Sequence, residues 1–310
     1  MKIVRDYQFV SDDNKGATVA IGNFDGVHFG HQAVIGMAKD ALPSAPLGVL
    51  TFEPHPREYF APDAPAFRLM SAKTRATRLR KLGVDILYEL AFNQQLAELS
   101  PEAFATQVIV EGLGLRHVVI GQDFCFGKAR AGNAQDLITY GKKYGFGVTI
   151  SDLVASPSGS VSSTAIRAAL SEGKPLLAAE MLGHWHRIEG PVISGEQRGR
   201  ELGYPTANMS IDGLHPPKFG VYAVLIDVLD GPHAGSYKGA SSIGVRPMFG
   251  ENRANLETFI FDFSGDLYGA TISVALVEFM RPELKFDGVG ELVNQMQLDC
   301  DKARTILFEI

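Results

Sequence analysis

The stretch Gly22-Asn23-Phe24-Asp25-Gly26-Val27-His28-Phe29-Gly30-His31 constrains this chain more than any other. An apolar, β-rich run from Ala17 to Ile21 enters it, and a helical pattern from Gln32 to Leu42 leaves it. Glycine lacks a Cβ and tolerates positive φ, so the backbone here can approach a ligand closely. Amides at the start of a helix point at any anion placed there. His28 and His31 are three apart and share one face of that first turn. Two imidazole donors beside helix amides can hold a phosphate while charge develops on it. The lysine-bearing loop of ATPases is not present in this stretch. An H-x-x-H pair can also bind zinc, but no Cys pair or third ligand lies nearby in sequence. The pair could also be helix surface; its setting in a Gly/Asp turn after a strand favours the phosphate.

With 310 residues there is room for about two domains. Hydrophobic content of 45% and charge of 21% fit an ordinary protein with a normal core. The net charge of −6 argues against general nucleic-acid binding, so anionic ligands must be held by local clusters. Cys125 and Cys300 stand far apart, in no metal spacing, which suits a reducing compartment. Charges fill the first residues, Met1-Lys2-Ile3-Val4-Arg5-Asp6, where a signal peptide needs an apolar core. No apolar run approaches the ~18 residues of a membrane span. The expectation is a cytoplasmic chain without a membrane partner.

Strands and helices alternate through the first half. Strands are expected at Leu47–Phe52, Val84–Leu90, Arg116–Gly121 and near Gly147–Leu153. Helices are expected at Ser71–Leu82, which is basic, from Ser100 to about Leu113, and near Gln135–Tyr144. This alternation predicts a doubly wound parallel α/β sheet, with ligands beyond the strand C-termini. The turn at Gly22, the segment Thr51-Phe52-Glu53-Pro54-His55-Pro56 and the loop at Gly121 all lie at such ends.

Two more stretches of this half carry chemistry. In Gly121-Gln122-Asp123-Phe124-Cys125-Phe126-Gly127, followed by Lys128-Ala129-Arg130, the aromatics could flank a planar ring and the cations could meet phosphate. On the residues alone, core aromatics with a solvated basic edge are the more usual reading. In Val161-Ser162-Ser163-Thr164-Ala165-Ile166-Arg167, hydroxyls at a helix start and Arg167, three residues beyond Thr164, could converge on one anion. The plainer alternative is an ordinary cap with a surface Arg.

Beyond Gly183 the pattern changes to short β-rich segments, at about 185–194, 220–229, 236–243, 255–263 and 271–279. A helical stripe returns at Val289, Leu292, Val293 and Met296. This predicts a small antiparallel β-barrel with a C-terminal helix, and domains of 1–183 and 184–310. His184 and His186 read as linker surface. In the run Gly190 to Asn208, four glycines and two arginines can wrap phosphates, while Thr206 and Asn208 place two neutral oxygens on one side of an extended segment, a set that suits Mg²⁺. A Gly-rich hairpin loop is the alternative.

The spelling F-D-G-V-H-x-G-H resembles the nucleotide-binding signature of HxGH nucleotidylyltransferases, in the form found in bacterial bifunctional riboflavin kinase/FAD synthetases. S-S-T-x-I-R resembles the second signature of that group, and G-x-D-F-x-F-G its flavin-side loop. The Gly190–Asn208 string resembles the riboflavin kinase signature ending P-T-A-N. Gly220-Val221-Tyr222, Leu256-Glu257-Thr258 and Arg281-Pro282-Glu283 also match. The resemblance implies a Rossmann-like adenylyltransferase half and a riboflavin kinase-like barrel half. Riboflavin, FMN and ATP are the implied ligands, FAD the product, and Mg²⁺ the metal. It implies catalytic roles for His28, His31 and Glu257. ATP contacts in the first half fall to Gly22, Phe24, Asp25, Gly30, Ser163, Thr164 and Arg167, and flavin contacts to Asp123, Phe124, Phe126 and Arg130. In the second half ATP falls to Gly195, Gly199, Arg200, Gly203 and Pro205, flavin to Arg281 and Glu283, and metal to Thr206 and Asn208. The chain departs from the family at Cys125, where Arg is common, at Ser242 and Met248, where Asn and Thr are common, and at Phe259, where His often follows the Glu-Thr pair. Two alternatives follow: a chain whose kinase half is degenerate, or a flavin-binding regulator without turnover.

Overall fold

The computed structural model describes residues 1–152, 155–156, 159–195, 202–248, 251–308 and 310. Its contacts divide into two compact units, Met1–Pro65 with Arg75–Val161 and Ala66–Thr74 with Ser162–Ile310.

The first unit is built on six strands: β1 (Lys2–Val4), β2 (Thr18–Ile21), β3 (Leu47–Glu53), β4 (Ile86–Ala91), β5 (His117–Gly121) and β6 (Gly147–Ser151). They lie in the order β1-β4-β3-β2-β5-β6, and every neighbouring pair is parallel. Val19, Ala20, Val49, Leu50, Leu87, Val118 and Val119 are fully buried. Such unbroken apolar runs are what a sheet covered on both faces requires. From β2 the chain moves outward through β3 to β4, then returns to place β5 on the other side of β2. Open sheets bind ligands at such a reversal, beyond the strand C-termini. The Gly22–His31 turn starts there and leads into α1 (Phe29–Ala41).

Two features of this unit differ from expectation. β1 was not expected: its three residues carry no alternation, and they join the sheet edge by pairing with Ile86–Tyr88. The helix from Ser100 begins as predicted, with Ser100 Oγ accepting the Ala103 amide at 3.1 Å and Pro101 in the first helical position. Phe104–Gly112 then winds as a π-helix. Its inward residues Phe104, Ala105, Val108 and Ile109 form a stripe too short to separate that winding from an α-helix.

The second unit holds six strands: β7 (Arg187–Pro191), β8 (Thr206–Ser210), β9 (Gly220–Val228), β10 (Gly235–Met248), β11 (Glu251–Ile260) and β12 (Thr271–Arg281). They run antiparallel in the order β7-β12-β9-β10-β11-β8. Just past β7, the Ile193 amide donates to the Asn208 carbonyl on β8 at 2.9 Å, so the two ends of the sheet nearly meet. Ile188, Met209, Tyr222, Val224, Ile243, Leu256 and Val274 fill the interior. The final helix, Val289–Phe308, lays Cys300, Ala303 and Leu307 over Val221, Ala223, Val277 and Met280 on the outer face. The expected barrel and covering helix are therefore present. β8 was missing from the expected segments because Thr-Ala-Asn-Met-Ser is short and polar; alternation of Ala207 and Met209 into the core makes it a strand.

His186 is not linker surface. It is 3% exposed, and its Nε2 hydrogen-bonds the Leu69 carbonyl at 3.0 Å. Burial holds the imidazole neutral and pulls its pKa down to about 4. In the unfolded chain it titrates near 6.5. The unfolded state thus binds more protons between those values, and stability falls as pH drops from about 6.5 to about 4. At about 1.4 kcal/mol per pKa unit, this amounts to up to about 3 kcal/mol. Urea unfolding followed against pH should show that slope in the wild type and a shallower one in His186→Gln; equal slopes would contradict the assignment.

Candidate active sites

In the first unit the turn after β2 is held in a strained form. Phe24 has φ 52° and Val27 φ 45°, a region that side chains, β-branched ones above all, rarely adopt. Buried Phe24 lies 5.0 Å from the His31 ring. His28 caps α1: its Nδ1 accepts the His31 amide at 3.3 Å. An accepting Nδ1 places the proton of the neutral ring on Nε2, which is left as a donor. The His28 and His31 rings stack at 3.7 Å and 15°. Gly30 permits this arrangement, since a Cβ there would stand 3.2 Å from the His28 ring. Burial lowers His28 to a pKa of about 4 and holds His31 well below its ordinary value, with His28 adding to the second effect. Both rings are therefore neutral donors at physiological pH. The Nδ1 of His31 is buried without a hydrogen-bond partner among the described residues. Asp25 is buried in the same turn, and the Gly22 amide donates to the Leu50 carbonyl at 3.1 Å.

The loop after β5 carries Asp123, Phe124, Phe126 and Arg130. Its two aromatics stack at 5.6 Å and 15°, and Phe126 also packs 5.6 Å from Phe104. Phe126 is 6% exposed and belongs to the core, whereas Phe124 is only partly buried against it. Exposed Arg130 sits at φ 57°. Lys128 pairs with Glu98. Phe126→Ala should destabilise the first unit by about 3–5 kcal/mol, the usual result of emptying a buried aromatic site. Chemical denaturation checks this; a midpoint unchanged from the wild type would contradict it.

In the second unit, helix α2 (Ser163–Ser171) is capped by Ser162, whose Oγ accepts the Ala165 amide at 3.2 Å. Arg167 donates to Thr164 Oγ1 at 3.4 Å and to the Phe67 carbonyl at 3.2 Å. Ser163 and Thr164 occupy the first turn.

The barrel register places Glu257 on β11 directly opposite Asn208 on β8 and Ser242 on β10. Thr206, two residues before Asn208, shares its face of the strand. Asn208 is 8% exposed; its Nδ2 donates to the Thr206 carbonyl at 3.3 Å, and its Oδ1 accepts from Asn255 at 3.0 Å. Gly195 lies so close that a Cβ there would stand 2.5 Å from Asn208 Nδ2. Gly203, at φ 84°, and Pro205 are exposed just before β8. Gly199 and Arg200 lie outside the described residues. Arg281 is held bidentately by Asp299, at 2.9 Å and 2.6 Å, and Gln295 donates to the same carboxylate at 3.0 Å. Glu283 packs over Gly244, where a Cβ would stand 2.2 Å from its carboxylate. Phe259 pairs with Thr206 across the strands and lies 5.1 Å from the Tyr204 ring. Sequence reasoning missed Asn255, which orients the Asn208 amide. Its place two residues before Glu257, on the same strand face, was the available signal.

Two family models match in chain order, FAD synthetase over residues 10–165 and riboflavin kinase over residues 182–307. A bifunctional riboflavin kinase/FMN adenylyltransferase of Pseudomonas fluorescens is 38% identical over 309 residues, covering 99% of this chain and 98% of its own length. The chain belongs to the bifunctional riboflavin kinase/FMN adenylyltransferase family. Relatives of the same description from Listeria monocytogenes and Escherichia coli are 39% and 36% identical, over 97% and 98% of this chain and 95% and 97% of theirs. Among solved structures, a Streptococcus pneumoniae protein described as a macrolide-efflux protein matches with a TM-score of 0.84 and 31% identity, covering 98% of this chain and 99% of its own. Among the described residues here, no helix is long and apolar enough to cross a membrane.

Proposed function

We infer that this chain converts riboflavin to FMN and FMN to FAD, each step consuming one ATP, with the kinase in residues 184–310 and the adenylyltransferase in 1–183. The stacked, neutral His28–His31 pair at the head of α1 is the observation that carries the assignment of residues. In adenylylation an FMN phosphate oxygen attacks the α-phosphorus of ATP in line. A new P–O bond forms, the bond to the β-phosphate oxygen breaks, and pyrophosphate leaves; no protein nucleophile is needed. His28 Nε2–H and the His31 ring donate to the phosphate oxygens on which charge grows. Gly22, Phe24, Asp25 and Gly30 shape the turn around ATP. Ser163, Thr164 and Arg167 are assigned to the β- and γ-phosphates on the strength of their signature. Asp123, Phe124 and Arg130 are assigned to the flavin, with Phe126 backing Phe124 from the core.

In the kinase step, Glu257 takes the proton from the terminal ribityl hydroxyl as that oxygen attacks the γ-phosphorus, and ADP leaves. Thr206 and Asn208 would hold Mg²⁺. Their neutral oxygens suit an ion that keeps phosphate and water in most of its positions, and Asn208 Oδ1, already accepting from Asn255, retains a second lone pair. Bound Mg²⁺ neutralises charge on the transferring phosphate. Gly195, Gly203, Pro205 and, by signature, Gly199 and Arg200 are assigned to ATP, and Arg281 and Glu283 to the flavin. Two free cysteines suit a reducing compartment, which we take to be the cytoplasm. A chromatographic time course with riboflavin, ATP and Mg²⁺ tests the function. FMN should rise and then give way to FAD. FAD formed only when FMN is supplied would mean an inactive kinase half, and no product from either flavin would mean a flavin binder.

A further inference from the structure

We propose that Thr51 and Arg75 are positioning residues for adenylylation: they hold the Asn23 carbonyl, and through it the strained turn that carries His28 and His31. This rests on the assignment of adenylylation to that turn. Asn23 sits between Gly22, whose amide is anchored on Leu50, and Phe24 in the left-handed region. Its carbonyl accepts from Thr51 Oγ1 at 3.1 Å and lies 3.5 Å from Arg75 Nη1. Thr51 is fully buried and Arg75 is 3% exposed. The same guanidinium donates through Nη2 to Glu53 at 3.0 Å and Glu89 at 3.1 Å. Glu89 in turn meets exposed Arg5 at 3.4 Å, so the two buried charges, Arg75 and Glu89, neutralise each other, with Glu53 and Arg5 toward solvent. Glu53 ends β3 and Glu89 lies on β4, so one side chain ties those two strands to the turn that leaves β2.

Residues held at positive φ relax unless their surroundings over-determine them. The turn has two such non-glycine residues, Phe24 and Val27, with Gly26 between them at φ 89°. The Asn23 carbonyl is where two independent donors meet it, Thr51 from β3 and Arg75 from the helix Ala72–Lys81. Donors such as the His28 and His31 rings accelerate a reaction only while aimed at the developing charge, and small misplacements are expensive in rate. Thr51 and Arg75 therefore act on the turnover step through backbone placement.

The test uses the full chain and compares Thr51→Val, Thr51→Ser, Arg75→Lys and His31→Ala with wild type. Thr51→Val keeps the side-chain shape and removes the donor; Thr51→Ser keeps the donor. The readouts are kcat and KM for ATP in FMN adenylylation, the riboflavin kinase rate in the same preparation, and the melting temperature. Thr51→Val should lower adenylylation kcat about tenfold, with KM for ATP changed much less. Thr51→Ser should recover to within about twofold of wild type, and Arg75→Lys, which keeps the buried charge but loses the fork, should fall with Thr51→Val. The kinase rate should be unchanged in all three. A Thr51→Val enzyme within about twofold of wild type overturns the proposal, provided His31→Ala is impaired; so does equal impairment of Thr51→Val and Thr51→Ser, or parallel loss of both activities with melting temperature. An unimpaired His31→Ala enzyme instead overturns the site assignment on which the proposal stands.

Discussion

Replacing Glu257 by Gln removes riboflavin phosphorylation and leaves FMN adenylylation at its wild-type rate. Among the described residues, Glu257 is the only carboxylate in the cross-strand row with Asn208 and Ser242, and it shares a face with both. A positioned general base contributes roughly 10²–10⁴-fold, and Gln keeps the shape while losing the ability to accept the proton. The two neighbours across the sheet are neutral, so Gln introduces no charge clash and the barrel should keep its stability. Separate assays with riboflavin and with FMN check both halves of the prediction. Equal loss of the two activities would mean that Glu257 is a structural residue.

Replacing His31 by Ala produces the second large effect, a fall in FMN adenylylation of about 10²-fold or more, the usual result of losing one preorganised donor. The His31 ring stacks on His28 and is backed by Phe24, so the substitution removes both a donor and the ring against which His28 packs. The backbone amide of His31 survives the substitution and still donates to His28 Nδ1, so His28 still caps α1. The kinase rate of the same preparation should be retained and serves as the folding control. Unchanged adenylylation in His31→Ala would contradict the role given to this pair.

The architecture was legible wherever periodicity was strong. The buried parallel strands read as continuous apolar runs, and the turn at Gly22 reads as lying beyond a strand C-terminus; that this strand is the one at which the sheet reverses comes only from the topology. The C-terminal stripe from Val289 announced a covering helix that extends to Phe308. Short or polar elements stayed hidden: β1 is recruited by its neighbour β4, and β8 by two alternating apolar residues. His186 was misplaced because burial there depends on the distant Leu69 carbonyl, a contact that no local pattern encodes. The same holds for Arg75, which read as one cation of a basic helix but lies buried between Glu53 and Glu89. Motif spelling singled out the candidate residues, while the strand register sets Glu257 opposite Asn208 and Ser242. Phe126 shows the opposite case, since a motif match drew a core aromatic into the expected flavin set.

The most direct test of two chemically separate sites on one chain is complementation. Glu257→Gln and His31→Ala enzymes are each incubated with riboflavin, ATP and Mg²⁺, then mixed, and the flavins are separated by chromatography. Glu257→Gln alone should leave riboflavin untouched, His31→Ala alone should accumulate FMN, and the mixture should form FAD. FAD from either variant alone at the wild-type rate, or a mixture that forms none although FMN is present, would contradict the assignment of the two reactions to these residues.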